Sequence, residues 1–246
     1  MLNYNNGEKR KMKKITIVSI ALCLSILASG CTTNEPAQAS EPTTVTTAEE
    51  TTKAAHQVNV EVVTLQSSAD GDQQVVPKIT VDGVEAAEIN NTLSSYIQTE
   101  YPLEIYDDYA DGMATKIYWG VKDNVLTIVI HAHETFTDYF TYDVFNYDLD
   151  TLKAMDDSEV VKSLGMTDEE FISKTSEIVK NFCSERDYDL DKSLAAVCYE
   201  NCTPFVTPDG TPGVAASIYF PADSQFGGGA SLRCFNIATM EPVNFA

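Results

Sequence analysis

The sequence predicts an α+β head, an antiparallel sheet packed by two main helices, preceded by a disordered tether and a lipoprotein signal. Three observations predict it. β-Branched and aromatic runs come in groups bounded by turn residues, two segments repeat apolar side chains at helical spacing, and residues 1–56 differ sharply in composition from the rest. Strands grouped in runs, with few helices between them, indicate α+β rather than a parallel α/β sheet.

The elements follow in chain order. Val58 to Val63 reads as a strand, and Val75 to Val81 as a second, with Pro77 marking an edge or a bulge because proline has no amide to give a ladder. Asp82-Gly83 turns the chain. Ala86, Ile89, Leu93, Tyr96 and Ile97 then recur on one face, which predicts an amphipathic helix over 84–99. Three strands are expected next, Ala114–Val121, Val125–His133 and Tyr139–Tyr147, with Lys122-Asp123-Asn124 as a tight turn between the first two. Thr167 followed by Glu170 is a capping box, and Phe171, Thr175, Ile178, Val179 and Phe182 form the apolar stripe of the helix it starts. A short helix is expected near Asp191–Val197. Val214–Phe220 and Ser231–Ile237 read as a closing strand pair around Gly227-Gly228-Gly229.

The N-terminal residues indicate location. Lys9-Arg10-Lys11 and Lys13-Lys14 precede an uncharged run from Ile15 to Leu27, which ends in Ala28-Ser29-Gly30-Cys31. A basic head, a short apolar stretch and small residues before a cleavage point describe an export signal over residues 1–30. Met12 begins a segment that would itself make a normal signal start. Thirteen helical residues span roughly 20 Å, whereas a bilayer core is ~30 Å thick. The pattern resembles a bacterial lipobox, which implies lipidation of Cys31 and an extracytoplasmic, membrane-anchored protein whose first partner is membrane lipid. Two acyl chains anchor a protein durably where one does not. Residues 31–56 are rich in Thr, Glu and Pro, lack large apolar side chains and read as a disordered tether. Residues 57–246 are of a size for one domain.

Removing residues 1–30 takes away five basic residues and one acidic residue, leaving 11 Lys and Arg against 36 Asp and Glu, a net charge of −25. That balance excludes nucleic acid as a partner, since there is no basic stripe to displace counterions from phosphates. It suits a cationic partner or plain solubility. Cys183, Cys198, Cys202 and Cys234 remain in the exported part; an even number in an oxidising compartment reads as two disulfides with three possible pairings. One disulfide or free thiols is an alternative, and a four-cysteine zinc site is the rival reading, since Cys198 and Cys202 have a spacing zinc tolerates.

Searching for enzymatic motifs finds no nucleophile elbow, no His-Glu-x-x-His helix and no phosphate-binding loop. No catalytic residue and no cofactor is expected. His131 and His133 are weak candidates for a metal, two ligands on one side of a strand that would need a third from elsewhere. Asp187-Tyr188-Asp189-Leu190-Asp191 starts like a calcium loop but has Lys192 and Cys198 at the sixth and twelfth positions, so a solvated turn accounts for it better. The stretch from Tyr101 to Gly112 is the candidate partner-binding surface. It interleaves Tyr101, Tyr106 and Tyr109 with Glu104, Asp107, Asp108 and Asp111. Tyrosine supplies contact area at low entropic cost, and carboxylates steer a cationic partner over a screening length of ~8 Å. An ordinary acidic loop with tyrosines packed on the first helix is the alternative.

Val76-Pro77-Lys78-Ile79-Thr80-Val81-Asp82-Gly83 and the helix with Ile89-Asn90-Asn91 resemble the opening of the extracellular domain of RsiV-type anti-sigma factors. The strand Asn124–Ile130 and the hairpin segment Val144–Lys153 fit the same pattern, so the resemblance covers roughly residues 58–240. It implies a non-enzymatic head that binds lysozyme, a basic wall hydrolase, or another envelope component. The same domain type occurs beside peptidoglycan deacetylase domains and in surface lipoproteins, which gives the alternative: a cell-wall-modifying hydrolase or deacetylase accessory protein centred on His131 and His133. The chain departs from the family in having no cytoplasmic sigma-binding segment, and the four cysteines match no family signature.

Overall fold

A computed structural model describes residues 55–106, 109–137, 139–198, 201–224 and 227–245. The predicted signal, Cys31 and nearly all of the predicted tether lie outside the described residues. His56, expected in the tether, is instead fixed to the head: its Nδ1 lies 2.7 Å from Asp82 Oδ2 and its Nε2 3.0 Å from Asp150 Oδ1.

The head mixes helix and strand, and its strands pair antiparallel in three sheets. The first sheet holds β1 (Val58–Ser67), β2 (Gln73–Val81) and β3 (Val84–Glu85). Asp82 and Gly83 both take positive φ, 51° and 78°, as a two-residue turn between β2 and β3 requires. Residues 84 and 85 are therefore strand, and the first helix, α1, starts later than predicted, at Ala87–Glu100. Pro77 sits at an edge, as expected. Its neighbours Val75 and Ile79 aim their amides away from β1, at Thr115 Oγ1 (2.8 Å) and Asn90 Oδ1 (2.8 Å), so Pro77 occupies the position on that edge where no amide is needed.

The second sheet has the order β4 (Leu103–Ile105), β5 (Ala110–Lys122), β6 (Val125–Glu134), β7 (Phe140–Asp148), β8 (Lys153–Ala154). The three long strands are those read from the sequence, and Asp123 in the β5–β6 turn has φ 51°. β6 is buried on both faces, which is why it reads as a near-continuous apolar run. Its Leu126, Ile128, Ile130 and Ala132 join Ile79, Ile89, Leu93 and Ile97 in the main core, so one face of this sheet carries α1 and the first sheet.

The opposite face carries the third sheet, β9 (Cys202–Val206), β10 (Pro212–Tyr219) and β11 (Ala230–Asn236), in the order β11-β10-β9. Val129 of β6 packs there on Phe205, Ala215 and Cys234. A buried polar bridge joins the two sheets. The Val206 amide donates to Thr127 Oγ1 (2.9 Å), that hydroxyl donates to Asn146 Oδ1 (2.6 Å), and Asn146 Nδ2 donates to the Pro204 carbonyl (2.8 Å). Every polar atom named in this bridge is thereby satisfied, as a buried network requires.

α2 (Asp157–Ser163), α3 (Asp168–Ser184) and α4 (Leu190–Ala195) follow the second sheet in the chain. Thr167 and Glu170 form the predicted capping box of α3. Phe171, Ile178 and Val179 of α3 pack on Val214, Ala216, Ile218 and Phe235, covering the far side of the third sheet. Four helices are thus described: α1 and α3 are the two main ones expected, α4 is the short one expected near Asp191–Val197, and α2 is the addition.

Candidate partner-binding surface

The β4–β5 and β6–β7 hairpins lie side by side at one end of the second sheet. The Tyr106 amide donates to the Tyr109 carbonyl (2.8 Å), and the Thr135 amide reaches across to the Gly112 carbonyl (3.1 Å), tying the two turns together. The rings of Tyr106 and Tyr109 stack with centroids 4.8 Å apart, and Tyr109 lies 5.8 Å from the ring of Phe136 on the neighbouring turn. Phe136 is 64% exposed, Tyr139 of the same turn 57%, and Tyr106 and Tyr109 just over 40%. Adjacent exposed large aromatics of this kind mark interaction sites more often than scattered single ones do.

Two carboxylates frame the rings. Glu104 and Asp111 are directly opposite each other in the β4–β5 register. Like charges in that position destabilise a strand pair, and a cation placed between them would relieve the repulsion. The Tyr106 hydroxyl donates to Glu104 Oε2 (2.8 Å); this hydrogen bond, and then the charge of Glu104, raise the Tyr106 pKa and keep the phenol protonated.

Tyr101 does not belong to this surface. It is buried at the end of α1, where its hydroxyl and that of Tyr96 both bond Asp143 Oδ2 of β7. Burial first, and the Asp143 charge second, push the Tyr101 pKa far upward, so it fastens helix to sheet as a neutral donor. The predicted patch thus keeps Glu104, Tyr106, Tyr109 and Asp111 and loses Tyr101, while Asp107 and Asp108 lie outside the described residues. Sequence reasoning missed Phe136 and Tyr139. The signal was present: two large aromatics within the short connection between two strands, a place where a core has no use for them.

His131 and His133 do project to the same side of β6, with ring centroids 6.0 Å apart. His131 stacks on Tyr142 at 4.7 Å, and His133 Nε2 lies 3.5 Å from Asp72 Oδ1. Among the described residues no group of three or more His, Cys, Asp or Glu side chains is arranged to hold a metal ion. Burial, with smaller contributions from His133 and Lys116, pushes the His131 pKa down to about 4, so its imidazole is neutral at pH 7. Asp189 of the calcium-like stretch is occupied otherwise, as the N-cap of α4, accepting from the Lys192 amide at 3.0 Å.

The two expected disulfides are not formed: Cys183, Cys198, Cys202 and Cys234 are all free thiols. Register explains part of this. Cys202 is paired with Ala216 and Cys234 with Ala215. Consecutive residues of β10 point to opposite faces, so Cys202 faces the helices while Cys234 faces the second sheet, and no bridge can join them. Burial raises the Cys202 pKa to about 11 and that of Cys183 also upward. The native head should therefore show one rapidly reacting thiol, the part-exposed Cys198, in a colorimetric thiol assay at pH 8. All four should react after denaturation without reductant. Fewer than four in the denatured, unreduced protein would show a bridge.

Comparison with known proteins returns no match: no family model, no curated protein and no solved structure is significantly similar to the chain.

Proposed function

We propose that this chain is a non-enzymatic, lipid-anchored envelope protein whose acidic head holds a cationic protein on the paired hairpin tips. The lipobox at Cys31 and the Thr- and Glu-rich tether support an extracytoplasmic location at the cell membrane. The net charge of −25 after processing supports a basic partner. The RsiV-type resemblance points the same way, toward a basic wall hydrolase such as lysozyme.

One observation carries the reading: a stacked, exposed Tyr106–Tyr109 pair, extended by Phe136, is framed by two carboxylates set opposite each other. Aromatic anchors supply most of the energy of typical interfaces, and truncating one commonly costs ~2 kcal/mol or more. The flanking acids govern encounter rate and salt dependence.

Surface plasmon resonance of the head against lysozyme, at low and at physiological salt, tests this. The wild-type head should bind at both. Tyr106→Ala combined with Tyr109→Ala should weaken binding at least tenfold without altering the melting temperature by more than a few degrees, since both rings are exposed. Absence of binding at low salt rejects lysozyme as the partner. Binding that disappears at physiological salt, or that the double variant retains, reduces the interaction to bulk charge attraction.

A further inference from the structure

A second cluster lies on the other side of the hairpin region, and it is basic in an otherwise acidic molecule. The β5–β6–β7 register sets Lys116, His131 and Tyr142 in one row and Ala114, His133 and Phe140 in the next. His131 is the centre: its ring stacks on Tyr142 at 4.7 Å, meets Phe140 edge-on at 5.6 Å and lies 6.0 Å from His133. Arg233, from β11 of the third sheet, places its guanidinium carbon 4.5 Å from the centre of the same Phe140 ring. Phe245 adds a further ring, 5.4 Å from Tyr142.

The cations here are unneutralised. Among the described residues neither Lys116 nor Arg233 has a carboxylate within ion-pair distance, although acidic residues outnumber basic ones more than two to one in the chain. The carboxylate that does reach the cluster, Asp72, lies 3.5 Å from His133 Nε2 instead. Arg233 Nε is out of contact with solvent and has no hydrogen-bond acceptor. Leaving a buried guanidinium donor without an acceptor is costly, and a bound oxyanion would satisfy it. His131 covers one face of Tyr142 and the Arg233 guanidinium one face of Phe140, so a flat ring carried beside that oxyanion would meet the remaining faces and edges of these rings.

We infer that Lys116, His131, Tyr142, Phe140 and Arg233 form a binding site for a small carboxylate borne on a flat ring. The Arg233 fork and the Lys116 ammonium take the carboxylate, the neutral His131 ring contributes one N–H, and the aromatic side chains flank the ring. The site uses none of the hairpin residues assigned to the protein partner, so the two stand or fall separately.

Isothermal titration of the full-length chain in detergent with benzoate, and with acetate as the ringless comparison, tests the site. Benzoate should bind saturably and at least tenfold more tightly than acetate. Arg233→Gln should weaken benzoate at least tenfold, and Lys116→Gln, at an exposed position that leaves the core untouched, severalfold. Lys122→Gln, farther along β5, should leave binding unchanged. Benzoate should also shift the imidazole resonances of His131 in the nuclear magnetic resonance spectrum. Absence of saturable benzoate binding, equal affinity for acetate, or an equal loss with Lys122→Gln would overturn the inference.

Discussion

Gly120→Ala is expected to leave little folded head in solution. Gly120 lies on β5 opposite Thr127, where its backbone comes close to that of Val206 and Thr207. A Cβ there would sit 2.1 Å from the Thr207 carbonyl oxygen and 2.5 Å from that of Val206. Both are backbone atoms, and the Val206 end of β9 is held by the Thr127 hydroxyl, so neither can step aside without breaking the polar bridge between the sheets. The cost combines overpacking with buried groups left unpaired, and it belongs to the exceptional class above ~4 kcal/mol. In a domain of this size each kcal/mol lowers the melting temperature by about 2–4 °C. A Gly120→Ala head that melts within five degrees of wild type would show that the sheets are less tightly joined than the geometry states.

Phe205→Ala is expected to destabilise the head by ~3–5 kcal/mol, the usual range for a fully buried phenylalanine. Its ring is completely buried between the sheets, against Val129, Ala215 and Cys234. It also fills the space opened by Gly213, whose absent Cβ would lie 2.6 Å from the ring. Collapse into the cavity is hindered because both walls are hydrogen-bonded strands. Urea denaturation followed by tryptophan fluorescence measures the change. Because the hairpin tips are held by their own contacts, binding at the Tyr106–Tyr109 surface should survive where the variant is folded. A loss below ~1 kcal/mol would mean the core repacks around the hole.

The long strands β5, β6 and β7 and the helix α3 were legible because each carries a local signal that tertiary packing reinforces. For α3 that signal is the Thr167–Glu170 capping box and the stripe from Phe171 to Phe182. The same box, formed by Asp156 and Glu159, opens α2, yet that helix has only seven residues and buries only Val160 and Val161, too short a stripe to stand out. β4, β8 and β9 were missed for a related reason. Each is short, and each is a strand because a neighbour supplies its partners rather than through its own alternation. The candidate surface was half legible. Tyr101 and Tyr106 look alike in sequence, but one ends a helix packed on the sheet and the other tips a hairpin, and a five-residue separation does not reveal that difference.

Composition and local order by themselves determined the mixed helix-and-strand class, the places of the main elements, the acidic character of the head and the expectation of a lipidated, exported chain. These depend on charge count, periodicity and short motifs, which involve neighbours close in the chain. Tertiary structure alone decided that Phe136 joins Tyr106 and Tyr109, that Arg233 meets Phe140, and that Cys202 and Cys234 face apart. Those outcomes depend on strand register and on which sheet faces which, and register is set by long-range pairing, where a shift of one residue sends every side chain to the opposite face.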